Sequence, residues 1–194
     1  MLEIVLASKS KVREQILKKN GIACIVEPSN IDEEPIKNSL ISIGTPPEVI
    51  SKNLAELKAN KISQKHQNKL VLGADSVIDL DGILISKPEN RVEALDILKK
   101  LNGKKHLLFS SVCISKNGSM IWNYTDQATL TMKNFSIQDL EKYLSKISDE
   151  KLYSYNVYQI EGEGRALFDS IAGDENTIMG LPIFKIKEYI KNYL

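Results

Sequence analysis

Along the chain, apolar and polar positions alternate between two periods, and the switches mark the elements. A largely apolar run from Leu2 to Leu6 breaks into Ala7-Ser8-Lys9-Ser10-Lys11-Val12-Arg13, after which Ile16 and Leu17 sit at helical spacing before Gly21. This predicts a buried strand delivered straight into a helix. Ile22 to Val26 reads as a second short strand and Glu27 to Pro47 as a long polar loop with some local structure. Pro47 to Ile62 then reads as a helix with proline in its first turn. Lys69 to Ala74 predicts a strand with Asp75 at its end, and Asp81-Gly82 turns a hairpin between Val77-Ile78 and the segment Ile83 to Ile85. Arg91 to Leu101 is amphipathic and stops at Asn102-Gly103. Leu107 to Ser115 and Met120 to Met132 predict strands on either side of Lys116-Asn117-Gly118. Ser136-Ile137-Gln138-Asp139 opens a helix reaching Ile147. A Tyr- and Gly-rich segment from Tyr153 to Gly164 leads to a strand at Ala166 to Ile171, a turn at Gly173-Asp174 and a last helix from Pro182 to Tyr193.

Strands interleaved with helices, plus a hairpin, predict an α/β fold around a mixed central sheet flanked by helices. Polar residues that end strands in such a fold converge on a cleft, where ligands bind. The 194 residues show no internal repeat or low-complexity tract, so a single domain over 1–194 is expected.

Charge narrows the partners. Lys plus Arg number 26 against 25 Asp plus Glu, a net charge of +1, so there is no global basic field to suggest nucleic acid or a membrane surface. Any anion recognition must be local. Cys24 and Cys113 are isolated in apolar surroundings without a CxxC pair, which predicts reduced, buried thiols. No apolar run reaches the length of a membrane span and no secretory leader pattern opens the chain, so a cytoplasmic protein is expected.

The turn from first strand to first helix is the leading candidate for chemistry. The first N–H groups of a helix lack intrahelical partners, and here Ser8, Ser10, two lysines and Arg13 surround them, an arrangement suited to phosphate. Asp75 follows the small residues Gly73 and Ala74, where a carboxylate can hold a divalent ion or take a proton from water. Glu33, between Asp32 and Glu34, can supply a second oxygen ligand. Lys58 is flanked by Ala55 and Ala59, small residues that let its helix face approach another element, and Pro88 fixes the direction of Lys87. One arginine, two lysines, an aspartate and a glutamate are what a triphosphate with bound magnesium requires.

These residues resemble the Maf, or septum-formation-inhibitor, nucleoside triphosphate pyrophosphatases nearly end to end. The resemblance is carried by Leu6-Ala7-Ser8-x-Ser10-x-x-Arg13, Asp32-Glu33, Leu54-Ala55-x-x-Lys58-Ala59, Gly73-Ala74-Asp75-Ser76, Lys87-Pro88, Leu101-Asn102-Gly103-x-x-His106, Glu161-Gly162-x-Gly164 and Gly180-Leu181-Pro182. It implies metal-dependent hydrolysis of a nucleoside triphosphate to the monophosphate and pyrophosphate, on a fold related to inosine triphosphate pyrophosphatases and often in a homodimer. It further implies that Asp75 is the base that activates water and also faces Mg2+ or Mn2+, with Glu33 near the metal. Ser8, Ser10, Arg13, Lys58, Ser76 and Lys87 then contact the substrate. His106 falls in a block used structurally, and His66 is expected to be exposed.

The chain departs from the family pattern in places that touch specificity. Ser10-Lys11-Val12-Arg13 stands where Ser-Pro-Arg-Arg is usual, so Lys11 replaces part of an arginine's charge without its bidentate geometry. Tyr153-Ser154-Tyr155-Asn156 stands where many members have Asp-Lys-Ala-Gly. Glu161 stands where pyrimidine-preferring members carry glutamine. A carboxylate offers only acceptors, which suit the two adjacent N–H donors of guanine and a cationic 7-methylguanine ring, and Asp174-Glu175-Asn176-Thr177 resembles the 7-methyl-GTP-preferring branch. Val12 and Ser76 depart from that branch, with Tyr155 or Tyr158 expected to stack on the base instead. A pyrimidine nucleotide pyrophosphatase and a non-catalytic nucleotide-binding regulator of septum formation are the alternative readings.

Overall fold

The computed structural model describes residues 3–155 and 157–193, except for the side chains of Ser154 and Tyr155. Leu2 and Asn156, named in the sequence reading, lie outside the described residues. The chain runs β1 (Glu3–Leu6), α1 (Lys11–Lys19), β2 (Ala23–Val26), α2 (Glu34–Ser42), α3 (Pro47–Ser63), β3 (Val71–Leu80), β4 (Ile83–Ile85), α4 (Arg91–Leu101), β5 (Lys105–Lys116) and β6 (Ser119–Met132). It continues through α5 (Ile137–Ser145), α6 (Asp149–Tyr155), a 3-10 turn (Glu163–Leu167), β7 (Phe168–Ala172), α7 (Glu175–Ile178) and α8 (Ile183–Tyr193). Among the described residues, the strands form one 7-stranded sheet in the order β2-β1-β3-β5-β6-β7, with β4 paired to β3. β1 runs parallel to β2 and to β3, whereas β3-β5, β5-β6 and β6-β7 are antiparallel. The mixed α/β sheet expected from the sequence is therefore the fold observed.

Side-chain alternation along β1 and β3 decides which helices cover each face. Ile4, Leu6, Leu72 and Ala74 meet Ile16 and Leu17 of α1 and Ile186 and Ile190 of α8. Val5, Ala7 and Val71 meet Ile62 of α3 on the opposite face. A second apolar cluster joins Ile78, Leu80 and Ile85 to α4, α5 and β7. β3 thus runs through both clusters, and this is why it is longer than expected. The sequence reading ends a strand at Ala74 and starts a hairpin at Val77. In the structure Asp75 and Ser76 sit mid-strand, in register with Ser111 and Ser110 of β5. Polar residues inside a strand imitate a strand end, and here the ladder continues past them.

Two further expectations need correction. The segment Glu27 to Pro47 contains α2, whose Pro35 lies in the first turn, a start signal that the acidic run masked. The Tyr- and Gly-rich segment contains part of α6 and the 3-10 turn. Cys24 and Cys113 are free thiols, Cys113 buried and Cys24 half-buried. No helix among the described residues is long and apolar enough to cross a membrane.

Candidate active site

A cavity of about 590 Å³ opens at the C-terminal end of β1, between the two apolar clusters, with α1 starting at its floor. Ser10 caps α1, its side chain accepting from the Arg13 N–H at 3.3 Å. Ser8 accepts from the Ser10 N–H at 3.2 Å, so the turn after β1 is tied down by its own serines and the helix N-terminus faces the cavity.

Arg13 folds back from α1 and ties together three pieces of chain: the turn after β1, β3 and the Gly180 turn. It donates through Nε to the Gly180 carbonyl at 2.9 Å, through Nη1 to Ser8 Oγ at 3.2 Å and the Ala74 carbonyl at 2.9 Å, and through Nη2 to Ser76 Oγ at 3.2 Å. Most of its N–H donors are thereby committed to protein. Burial lowers its pKa, an effect opposed by the charges of Asp75 and Glu33. Ser76 and Ser110 hydroxyls lie 2.8 Å apart, and Ser110 donates to the Thr177 carbonyl at 2.7 Å. Because Ser110 has a single proton, Ser76 must donate to it, giving a directed chain from Arg13 to α7. Thr177 in turn donates to Asp126 at 2.7 Å, and its N–H donates to Asp174, the cap of α7, at 3.1 Å. Asp174 and Thr177 are thus accounted for by helix capping and strand docking.

The carboxylates are placed by the contact between α3 and β3. Gly73 meets α3 so closely that a Cβ there would lie 2.2 Å from the Ala55 carbonyl oxygen and 2.7 Å from the Ala59 nitrogen. Gly73 and Asp75 share a strand face, and Lys58 lies between Ala55 and Ala59 on the helix, so this backbone contact sets how far Lys58 is from Asp75. Lys58 is 7% exposed. Its ammonium lies 2.7 Å from Asp75 Oδ1 and 2.8 Å from Glu33 Oε1. Burial works against ionisation of Glu33, but the charge and hydrogen bond of Lys58, with Lys37 and Lys87 beyond, hold its carboxyl below the ordinary range. Lys37 lies 3.8 Å from Glu33 and 3.0 Å from Glu34. Lys87 lines the cavity from the segment after β4, where desolvation and the Arg13 charge draw its pKa down.

Asp75 Oδ2 is buried and has no hydrogen-bond partner among the described residues. Two carboxylates, one carrying an unused buried oxygen, fit a hard divalent cation that takes its remaining oxygens from water and phosphate. No cluster of three or more His, Cys, Asp or Glu able to hold a metal occurs among the described residues.

At the other end the cavity wall is aliphatic, formed by Val77, Ile78, Leu84 and Ile178, with Glu150, Gln159 and Glu161 at the rim. Tyr158 is 7% exposed and its hydroxyl lies 3.0 Å from His106 Nε2. It lines the cavity and packs at 80° to Phe168 with ring centroids 4.8 Å apart. The side chain of Tyr155, the other expected stacking partner, lies outside the described residues. His106 is buried among these rings, and burial lowers its pKa to about 4. His66 is half-buried and pairs with Glu27 Oε2 at 2.5 Å, so it is less exposed than expected.

Ser8, Ser10, Arg13, Glu33, Lys58, Asp75, Ser76, Lys87 and Glu161, scattered over some three quarters of the chain, all line this one cavity. The sequence reading did not single out Lys37, Glu150 or the chain through Ser110 and Thr177. Lys37 was legible as the i+4 partner of Glu33 once α2 is recognised, whereas only tertiary contact reveals the other two.

The model of the family described as Maf-like protein matches residues 3–193. The chain belongs to the Maf-like family. Among Maf-like relatives it is similar to the nucleoside triphosphate pyrophosphatase of Pelagibacter ubique (strain HTCC1062), 67% identical over 97% of each chain. It is 38% identical to the nucleoside triphosphate pyrophosphatase of Paramagnetospirillum magneticum (strain ATCC 700264 / AMB-1), over 96% of each. It is 35% identical to the 7-methyl-GTP pyrophosphatase of Brucella abortus biovar 1 (strain 9-941), over 95% of this chain and 93% of that one. A solved nucleoside-triphosphatase / dITP/XTP pyrophosphatase from Mycobacterium abscessus aligns with a TM-score of 0.47 at 12% identity, over 69% of this chain and 76% of that chain.

Proposed function

We infer that this protein is a nucleoside triphosphate pyrophosphatase that hydrolyses its substrate to the nucleoside monophosphate and pyrophosphate, with Asp75 as the base for the attacking water. The observation that carries the reading is the buried carboxylate of Asp75, its Oδ2 unpartnered among the described residues, in the lining of a cavity that also includes the start of α1 and Lys58, Lys87 and Arg13. A carboxylate held in place by one oxygen leaves the other to orient water or a cation. The triphosphate lies over the α1 N-terminus, where first-turn N–H groups and lysines offset its charge. Arg13 acts chiefly by holding Ser8, Ser76 and the Gly180 turn in register, so the cradle is fixed before substrate arrives. Glu33 and Asp75 are the residues that would hold Mg2+ or Mn2+, which would supply charge to offset that developing on the phosphates. Cytoplasmic location and a homodimer belong to this reading as proposals, as does a single domain spanning the chain.

For the base, the carboxylates of Glu161 and Glu150 at the rim of an aliphatic wall support a purine with N–H donors on its edge, 7-methylguanine included. The test is incubation with a panel of nucleoside triphosphates and magnesium, assaying pyrophosphate and orthophosphate separately. Pyrophosphate with monophosphate is expected, and orthophosphate with diphosphate would refute the reaction. For the base, a kcat/KM for UTP or dTTP about tenfold above that for 7-methyl-GTP, about 1.4 kcal/mol in transition-state binding, would overturn the reading of Glu161.

A further inference from the structure

Lys58 is the group whose position the proposed reaction does not fully explain. It lines the cavity, but its ammonium is held by the two carboxylates, 2.7 Å from Asp75 and 2.8 Å from Glu33. It is almost fully buried, and the Gly73 contact with Ala55 and Ala59 holds its helix against the strand that carries Asp75. The carboxylates it joins come from distant parts of the chain, Glu33 at the start of α2 and Asp75 on β3.

We propose that Lys58 is a resident counter-cation that a divalent metal ion must displace, and that its ammonium transfers to the triphosphate when substrate and metal enter together. The proposal rests on the reading of Glu33 and Asp75 as the carboxylates that face the cation. Two carboxylates sharing one ammonium leave a single net negative charge, a weak attraction for a free ion. A divalent ion at the same oxygens would also stand within a few ångströms of a like charge in a partly desolvated site. The ammonium cannot stay where it is, and its flexible four-carbon stem lets it leave. Its new partner is the substrate, because the proposed function puts the phosphates in the cavity that Lys58 lines. One movement thus satisfies the carboxylates with metal and the phosphates with lysine. Its consequence is coupling: metal alone binds poorly, metal with nucleotide binds well, and by linkage each strengthens the other equally.

The test measures Mn2+ binding to the free protein by calorimetry and by the loss of free-ion electron paramagnetic resonance signal, with no turnover involved. Lys58→Met removes the charge and keeps the stem length. It is expected to bind Mn2+ on the order of tenfold more tightly than wild type. Mn2+ should also raise its thermal midpoint more than that of wild type. Lys58→Gln serves as the second variant should Lys58→Met not fold, and Lys58→Arg, which keeps the charge, should not gain affinity. In wild type, an α,β-methylene nucleotide analogue should strengthen Mn2+ binding about tenfold or more, and in Lys58→Met much less. Equal or weaker Mn2+ affinity in both neutral variants, or no Mn2+ binding by any of them, overturns the proposal. Wild type that releases pyrophosphate while the variants show no gain refutes this proposal alone. Wild type that releases none refutes the proposed function, and the Mn2+ comparison still decides this one.

Discussion

Gly73→Ala is a small change at the contact that sets the site, and the structure gives its size. The new methyl would lie 2.2 Å from the Ala55 carbonyl oxygen, 2.7 Å from the Ala59 nitrogen and 2.9 Å from the Ala59 methyl. Two of these three are backbone atoms of α3, so no side chain can turn aside to make room. Ordinary contact requires α3 to retreat from β3 by about 1 Å. Lys58 sits between these two alanines, and its 2.7 Å contact with Asp75 would stretch to the edge of hydrogen-bonding range. Overpacking of this kind costs about 2–3 kcal/mol. For a chain of this size that is a fall of roughly 5–10 °C in thermal midpoint. A displacement of about 1 Å at reacting groups costs on the order of 100-fold in rate. Thermal unfolding by circular dichroism and a pyrophosphate-release assay read the two effects on the same sample. A folded variant within about 1 °C of the wild-type midpoint and within about threefold of its kcat would refute the claim that this contact positions the site.

Arg13→Lys keeps the charge but cannot reach the carbonyls of Gly180 and Ala74 and the hydroxyls of Ser8 and Ser76 together. It should lower kcat/KM by a similar factor for every nucleotide, and a changed base preference would show that Arg13 contacts the base. His106 titrates near pH 4 in the fold against 6.5 in its ordinary state, so the unfolded chain binds more protons in between. Stability should therefore be complete above pH 6.5 and fall by up to about 3 kcal/mol as the pH drops to 4. Urea titrations across that range should show this slope reduced in His106→Gln, and an equal slope in both proteins would refute the assignment.

The elements with unambiguous punctuation were legible from sequence. Asn102-Gly103 closes α4, and Ser136 caps α5 by accepting from the Asp139 N–H, as the spacing indicates. The strand carrying Asp75 reads as cut short because its polar side chains serve the cavity while its backbone continues the ladder. The acidic run at Asp32 to Glu34 suggests a solvated loop, although a helix begins at Glu34 with Pro35 in its first turn. The cavity-lining residues were recoverable because strand-to-helix turns, flanking alanines and Gly73 leave local marks. Arg13 shows the limit of that reading. A basic residue after a phosphate-type turn reads as a phosphate ligand, but its committed N–H donors depend on where Gly180 and Ala74 come to lie, more than sixty residues from it in sequence. The bond of Tyr158 to His106 lies beyond local reading for the same reason, because it joins positions 52 residues apart.

The central claim is that Asp75 performs the chemistry of a pyrophosphatase, and Asp75→Asn tests it most directly because it removes the charge without changing size. Pyrophosphate release from the preferred nucleotide should be measured with magnesium on variant protein shown to be folded by circular dichroism. A loss of about 100-fold or more in kcat is predicted, whereas turnover near the wild-type rate in folded Asp75→Asn would contradict the account.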